Sequence, residues 1–368
     1  MPNHDGAGED HRGERQTEKH SPPPGPLLVC GTIHASLKRF VDAGASPHPS
    51  PAASLLASPR MITADRGTWL KQVFTLRGTA LLVVWKRVLT TTLIAIAVTI
   101  LQDQYQVFDT NLTPLPFSLI GLALSIYLGF RNNSGYDRFW EGRKLWGRLV
   151  NVSRSFARQV QTLVRNPDGD SSEVHRRLMY MHIAYVHSVR HHLRDEDALA
   201  ELAELIPAAL LEELRPQLNR PAYLANRLGH EIREVYDQGW IHPMHLPVLE
   251  ASLTECLAIQ GACERIKTTP IPFSYTALTH RIVLIYCIGL PFGIVDTIHA
   301  MTPIVVMIVA YAFYGLDAVG TEIENPFDQD PNDLPLSALS RMIEVNIRQA
   351  LGETEFPPLL KPEKGVLH

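Results

Sequence analysis

The sequence has little of what marks most enzymes and nucleic-acid-binding proteins. Among 368 residues only four are cysteine, Cys30, Cys256, Cys263 and Cys287. They are too few and too widely spaced for a disulfide framework, and no CxxC pair offers a metal or redox centre; they read as buried thiols. A basic excess is also missing. The 34 Lys and Arg stand against 38 Asp and Glu, a formal net charge of -4, so there is no electrostatic footprint for a phosphate backbone and nucleic acid is not an expected partner. HExxH, a phosphate-binding glycine loop and GxSxG are all absent, which removes the commonest hydrolase and nucleotide-binding signatures. No catalytic residue and no cofactor is expected. The hydrophobic share of 45% is nonetheless ample for a large core.

Residues 1–60 hold nine of the 27 prolines and show no apolar periodicity, so they read as a disordered extension. The uncharged stretch Ser21–Leu37 opens with four prolines in six residues and is a poor secretory signal. Patterned sequence begins at Met61, which is expected to be the natural start. Sequencing the N-terminus of natively expressed protein tests this.

Four charge-free apolar segments follow: Val88–Leu101, Leu115–Phe130, Ile282–Val295 and Thr302–Leu316. Each is 14 to 16 residues long, short of the roughly 20 that span the hydrocarbon core, so length alone leaves buried soluble helices open. The flanks favour a membrane. Lys71, Arg77, Lys86 and Arg87 precede the first segment. Gln102–Pro114 and Asp296–Met301 carry no Lys or Arg, while Arg131, Arg138, Arg143, Lys144 and Arg148 follow the second segment and Arg281 precedes the third. The positive-inside rule fits all four crossings, with both termini cytoplasmic. Lys86 and Arg87 can snorkel to the inner interface, making Ala80–Trp85 an interfacial entry.

Between the two apolar pairs the chain is polar and helical. Phe139, Trp140, Leu145, Trp146, Leu149, Val150, Val152 and Phe156 recur at helical spacing, so the second segment should continue as one long helix into the cytoplasm. Asn166–Asp170 is a turn, Ser171-Ser172-Glu173 should cap a helix to about Leu193, and further helices follow to Ile266. No strand pattern of alternating residues appears.

In the second segment Gly121, Ser125 and Gly129 recur every four residues and form a small-residue packing face. Beside it Leu122, Ile126 and Phe130 form a second stripe, with Ser118 ahead of it. That stripe fits helix core or lipid contact, and it fits equally a hydrophobic constriction that gates a pore by dewetting. Periodicity does not choose between them.

The run Leu128–Gly147 (Leu-Gly-Phe-Arg-Asn-Asn-Ser-Gly-Tyr-Asp-Arg-Phe-Trp-Glu-Gly-Arg-Lys-Leu-Trp-Gly) resembles the signature of the bestrophin family, in particular its bacterial members. Thr269-Pro270-Ile271-Pro272-Phe273-Ser274-Tyr275 is a second match. Glu324-Asn325-Pro326-Phe327 with Asn332-Asp333-Leu334-Pro335-Leu336 is a third. The resemblance covers about Met61 to Gly352. It implies a homopentameric ion channel with its pore on the fivefold axis, a hydrophobic neck at Leu122, Ile126 and Phe130, and a cytoplasmic aperture at Ile271. A neck without polar atoms suits gating better than selectivity, and the sign of the permeant monovalent ion, chloride or sodium-type, stays open. Arg131, Arg138, Trp140, Glu141, Arg143 and Trp146 are expected at the membrane interface or between subunits, with Glu141 paired to Lys144 at i+3.

In place of the dense acidic calcium clasp of eukaryotic members, this chain reads Asp328-Gln329-Asp330-Pro331-Asn332-Asp333. Asp328, Asp330 and Asp333 are weak metal candidates, and the turn is expected to be solvated and the protein insensitive to calcium chelation. His182, His187, His191 and His192 read as scattered surface residues. Asp296 and His299 could sit at the outer pore mouth, His299 as a pH sensor.

The sequence therefore predicts an all-α membrane protein: four transmembrane helices per subunit, a helical cytoplasmic bundle, and a homopentamer around a central pore. Its expected parts are the extension 1–60, a transmembrane hairpin with the neck at 61–131, a cytoplasmic domain at 132–281, a second hairpin at 282–317 and a cytoplasmic segment at 318–368. The expected setting is a bacterial inner membrane, and the expected partners are further copies of the chain, membrane lipids and permeant monovalent ions. A non-conducting scaffold and a histidine-dependent membrane metalloenzyme are the alternatives.

Overall fold

The computed structural model describes residues 61–62, 78–105, 113–360 and 366–367, all within the unit Ser58–His368. The extension 1–60, with Cys30, lies outside the described residues. In chain order the elements are β1 (Met61–Ile62), α1 (Ala80–Tyr105), α2 (Leu115–Leu163), α3 (Ser172–Leu193), α4 (Leu199–Leu202), α5 (Ala208–Leu214), α6 (Arg220–Asp237), α7 (Leu246–Thr268), α8 (Phe273–Ile298), a 3-10 turn (His299–Met301), α9 (Thr302–Glu322), α10 (Leu336–Ala350) and β2 (Val366–Leu367). The fold is all-helical apart from two short antiparallel pairings among the described residues. Met61 lies opposite Leu367 and Ile62 opposite Val366, and Val164 bridges Ile241.

Three helical stretches, 80–105, 115–163 and 273–322, are long and apolar enough to cross a membrane. The third is folded back on itself. At His299 the backbone turns to φ 46°, a left-handed conformation that ends α8, and α9 starts after one 3-10 turn with Pro303 in its first turn. The Tyr286 and Phe313 rings then meet edge-on at 5.2 Å, so α8 and α9 run antiparallel. Threonines in α1 satisfy their hydroxyls within the helix: Thr91 donates to the Arg87 carbonyl at 2.9 Å, Thr92 to Val88 at 2.8 Å and Thr99 to Ala95 at 2.8 Å. This is the cheap way to hold a polar atom where water is absent.

The helix α2 is the spine. It begins after Pro114 with Pro116 in its first turn, where proline's fixed φ is already helical and its missing N–H is not needed. It then runs 49 residues without a break, about 74 Å at 1.5 Å per residue. One end packs with α1, α8 and α9 around Val84, Val88, Leu124, Leu128, Val283 and Tyr314. The other end packs with α3, α6, α7 and α10 around Trp146, Phe156, Leu178, Ile183, Leu228 and Ile259. The helix stops where Val164 becomes extended and the Arg165 N–H donates to the Trp240 carbonyl at 2.9 Å.

The helices extend beyond the apolar runs: α2 continues unbroken past residue 131, as its periodicity predicts, α1 includes Ala80–Trp85, and α8 begins at Phe273, nine residues before Ile282. Pro272 sets that start, since the residues of α8 directly after it are helical irrespective of their polarity. Ser171 precedes α3 without donating or accepting a side-chain cap bond; its hydroxyl accepts from the Asn166 N–H at 2.7 Å. Asp170 accepts instead from the Ser172 N–H at 3.1 Å.

Candidate functional site

Along the first half of α2 the buried side chains are Gly121, Leu124, Leu128, Arg131 and Gly135, which share one face at a helical repeat of about 100° per residue. Leu122, Ile126 and Phe130 project to roughly the opposite side. They are 62%, 54% and 65% exposed, so this chain leaves an apolar stripe three turns long without cover. The small-residue line is only partly used within the chain. A Cβ on Gly121 would run into the Tyr286 hydroxyl, whereas one on Gly129 meets nothing within 4 Å among the described residues. The Ser125 hydroxyl donates to the Gly121 carbonyl at 2.8 Å. Packing within the chain therefore follows 121–124–128 rather than 121–125–129, because α8 and α9 sit on the leucine side.

Directly below Phe130 lies a sealed charge cluster. Arg131 is 1% exposed, so the interfacial role expected for it is corrected. Its Nη1 donates to Asp317 Oδ1 at 3.1 Å and to the Asp317 carbonyl at 3.2 Å, and its Nη2 donates to Thr321 Oγ1 at 2.9 Å. The same Nη2 lies 3.8 Å from Glu324 Oε2. His280 Nε2 at 3.3 Å and Arg87 Nη1 at 3.8 Å share the other Asp317 oxygen. A buried guanidinium is tolerated only with such pairing.

The three motifs of the sequence meet here. Arg138, also expected at an interface, donates from Nε to the Glu324 carbonyl at 2.9 Å, from Nη1 to Thr269 at 2.6 Å and from Nη2 to Ile266 at 2.5 Å. It thereby collects unpaired carbonyls at the end of α7, where a cation is also favoured by the helix dipole. The Ile271 N–H donates to Glu324 Oε1 at 3.1 Å. The glycines of the signature permit the approach: a Cβ on Gly135 would lie 3.2 Å from the Gly320 carbonyl, and one on Gly142 3.1 Å from the Phe327 ring.

Other expected contacts change. Glu141 pairs with Arg265 at 3.0 Å rather than with Lys144, because α7 lies alongside α2. Trp146 is fully buried in the core of the helical bundle, so it belongs to no aromatic belt. Trp140 stays exposed, stacked on Tyr136 at 6.3 Å with the Arg143 guanidinium 5.2 Å over its ring.

Of the α3 histidines expected at the surface, His182 and His187 are buried and His191 and His192 are partly exposed. His182 is buried with Nε2 2.9 Å from the Ser153 hydroxyl, and burial lowers its pKa to about 4. His187 faces Glu201 at 2.9 Å and Glu344 at 3.2 Å. His191 faces Glu196 at 2.8 Å and Glu201 at 2.6 Å; burial opposes its charged form, but the two carboxylates outweigh it and raise its pKa. These direct contacts leave no space for an ion, and no group of three His, Cys, Asp or Glu among the described residues is arranged to hold a metal.

In the acidic turn Asp328, Gln329, Asp330 and Pro331 are exposed, as expected of a solvated loop, and Asp333 is the exception. Asp333 is 3% exposed and Oδ2 accepts the Asp330 N–H at 2.7 Å, while burial and the neighbouring Asp330, Asp328 and Glu322 push its pKa up to about 8. Asn332 donates to the Gly78 carbonyl at 3.2 Å and to Glu322 at 2.9 Å. At the opposite end, Gln102 donates to Asp296 at 2.7 Å and His299 lies 3.7 Å from Asp103. Cys256 and Cys263 are buried thiols pushed up to about 12 by burial.

Asp317 and Glu324 are the residues that sequence reasoning missed. Asp317 carried a signal: a lone carboxylate closing an apolar helix is expensive unless paired.

Apolar helices of membrane-crossing length, tied by buried ion pairs to a helical bundle through one continuous helix, define a helical membrane protein. Residues 61–349 match the family model described as bacterial/fungal bestrophin protein, and the chain belongs to that family. A voltage-dependent anion channel-forming protein of Ralstonia nicotianae is 38% identical over 293 residues, covering 80% of this chain and 95% of the relative. One of Escherichia coli K12 is 36% identical over 308 residues, covering 83% and 98%. A crystal structure of a bacterial bestrophin homologue from Klebsiella pneumoniae superposes with TM-score 0.70 at 33% identity, covering 74% of this chain and 100% of that one.

Proposed function

We propose that the protein is a homopentameric ion channel of the bacterial inner membrane, with four crossings per subunit and both termini in the cytoplasm. The observation that carries this reading is the exposed stripe Leu122, Ile126 and Phe130, on the side of α2 turned away from α8 and α9. Around a symmetry axis, five such stripes make an apolar neck about three turns long, which conducts only when wide or wetted. Ile271 forms the second constriction on the cytoplasmic side. The names of the relatives put anions first among the monovalent ions to be tested. Arg143 and Lys144, exposed beside Trp140, suit the phosphates of the inner leaflet. Gly129 and Ser125 are free to receive a neighbouring subunit.

The test is bilayer recording of purified pentamer under asymmetric sodium chloride, native protein beside the Leu122→Ala, Ile126→Ala, Phe130→Ala triple variant. The expected result is a several-fold larger current in the variant, with the direction of the reversal potential giving the sign of the ion. Silence in both, from correctly assembled protein, overturns the channel reading.

A further inference from the structure

The neck and the aperture are 141 positions apart in sequence, Phe130 and Ile271, yet a single side chain touches the support of both. Glu324 presents Oε2 to Arg131, the residue directly after Phe130, at 3.8 Å. It presents Oε1 to the backbone N–H of Ile271 at 3.1 Å. Its own carbonyl accepts from Arg138 Nε at 2.9 Å, and the other two arms of that guanidinium hold the Thr269 and Ile266 carbonyls. The carboxylate is thus buried between a cation on α2 and an amide on the strap that links α7 to α8, with both oxygens committed. On the far side Arg131 is fixed to α9 through Asp317 and Thr321.

A rotation of α2 that swings Phe130 moves Arg131 with it, since the two are adjacent on a continuous helix. Arg131 cannot shift without either stretching its pairing to Glu324 or dragging that carboxylate along. Two discrete packings joined by a shared buried charge are the physical form that coupling between sites takes. Resting on the channel reading above, we infer that Glu324 is a positioning residue that couples the two constrictions, so that neck and aperture open together.

The test is a double-substitution cycle on open probability in planar bilayers, using the purified assembled protein. Phe130→Ala and Ile271→Ala are measured singly and together, in the native background and again with Glu324→Gln, which keeps an acceptor for the Ile271 N–H but removes the charge facing Arg131. In the native background the two effects are expected to depart from additivity by about threefold or more, and in Glu324→Gln to add within about twofold. Glu324→Gln alone should shift open probability while unit conductance and reversal potential stay unchanged. A purely structural role would lower the yield of assembled protein and leave the cycle as it was. Additivity in the native background, or non-additivity that survives Glu324→Gln, overturns the inference. Should Glu324→Gln fail to assemble, Arg131→Lys takes its place with the same two outcomes, since it keeps a cation beside Asp317 and shortens the reach to Glu324. Silence of native and triple-alanine proteins alike instead overturns the channel reading, and with it this coupling.

Discussion

Arg131 and Glu141 sit ten positions apart on one helix and differ in what their loss should cost. Removing Arg131 leaves Asp317 and Glu324 as buried carboxylates without their main cation, so Arg131→Ala is expected to lower stability by about 3–5 kcal/mol. Glu141 pairs with Arg265 in the open, and Glu141→Ala is expected to cost less than about 1 kcal/mol. Thermal unfolding of the detergent-solubilised protein compares the two, and equal effects would remove the buried network from this account. The contrast also shows what sequence can deliver for one residue. A basic side chain flanking an apolar run ordinarily snorkels, so Arg131 was indistinguishable from Arg143 by position. Its partners lie 186 and 193 residues further along, Asp317 in α9 and Glu324 just beyond its end, and no local period announces which side of α9 faces it. Trp146 was misread for the same reason: an aromatic near a membrane flank carries no mark of the bundle that closes over it. Leu122, Ile126 and Phe130 were legible as a stripe because their spacing is contained within three turns of one helix, while their reading as a neck rests on the family resemblance.

At the scale of elements, α2 is the case where periodicity worked best and where its faces were hardest to assign. Apolar residues from Phe139 to Phe156 repeat at helical spacing and no proline intervenes, so an unbroken helix running on into the bundle follows from local rules. Which small residues pack within the chain does not. A Cβ at position 320 would be driven into the Asn132 amide and the Arg131 guanidinium, so Gly320→Ala is expected to destabilise the α2–α9 contact by about 1–3 kcal/mol. Position 129 is open within the chain. Gly129→Ala should leave the fold of the subunit intact and add about 1 kcal/mol of helix propensity. Size-exclusion chromatography and thermal unfolding of both variants check this, and a Gly129→Ala protein that falls apart into folded monomers assigns that face to the subunit interface.

For the whole molecule, the helical bundle is built to be more stable on the acid side of neutrality than on the alkaline side. His191 has a raised pKa in the folded state, so its contribution is complete below the ordinary histidine pKa of about 6.5 and fades as pH rises through the folded value. Asp333, held neutral up to about 8, works in the same direction. The unfolded chain ionises it near pH 4 while the fold does not, so stability falls between those limits as pH rises. His182 works oppositely: neutral in the fold down to about 4, it costs stability as pH falls below about 6.5. Between about pH 4 and 6 the Asp333 and His182 effects offset one another and stability is nearly level; above about pH 6.5 Asp333 and His191 act together and it falls. Thermal unfolding from pH 4 to 9 should show this profile, and Asp333→Asn should flatten the alkaline side. The burial of these groups was not legible in the sequence, because it depends on elements distant along the chain packing over α3 and over the turn before α10. The helicity of the four apolar segments, by contrast, was legible, since each lies within α1, α2, α8 or α9.

The continuity of α2 has a further consequence. Its first turns present the exposed stripe Leu122, Ile126 and Phe130, and the turns that follow are locked by Arg131, Gly135, Arg138 and Gly142 to other elements, so the two stretches are held in a fixed angular phase. One residue inserted between them would turn the stripe by about 100° and face it toward a neighbouring helix, whereas seven inserted residues would turn it by only about 20°. The chain therefore tolerates lengthening here in steps of two turns and not of one residue, as a camshaft tolerates only whole settings of its timing.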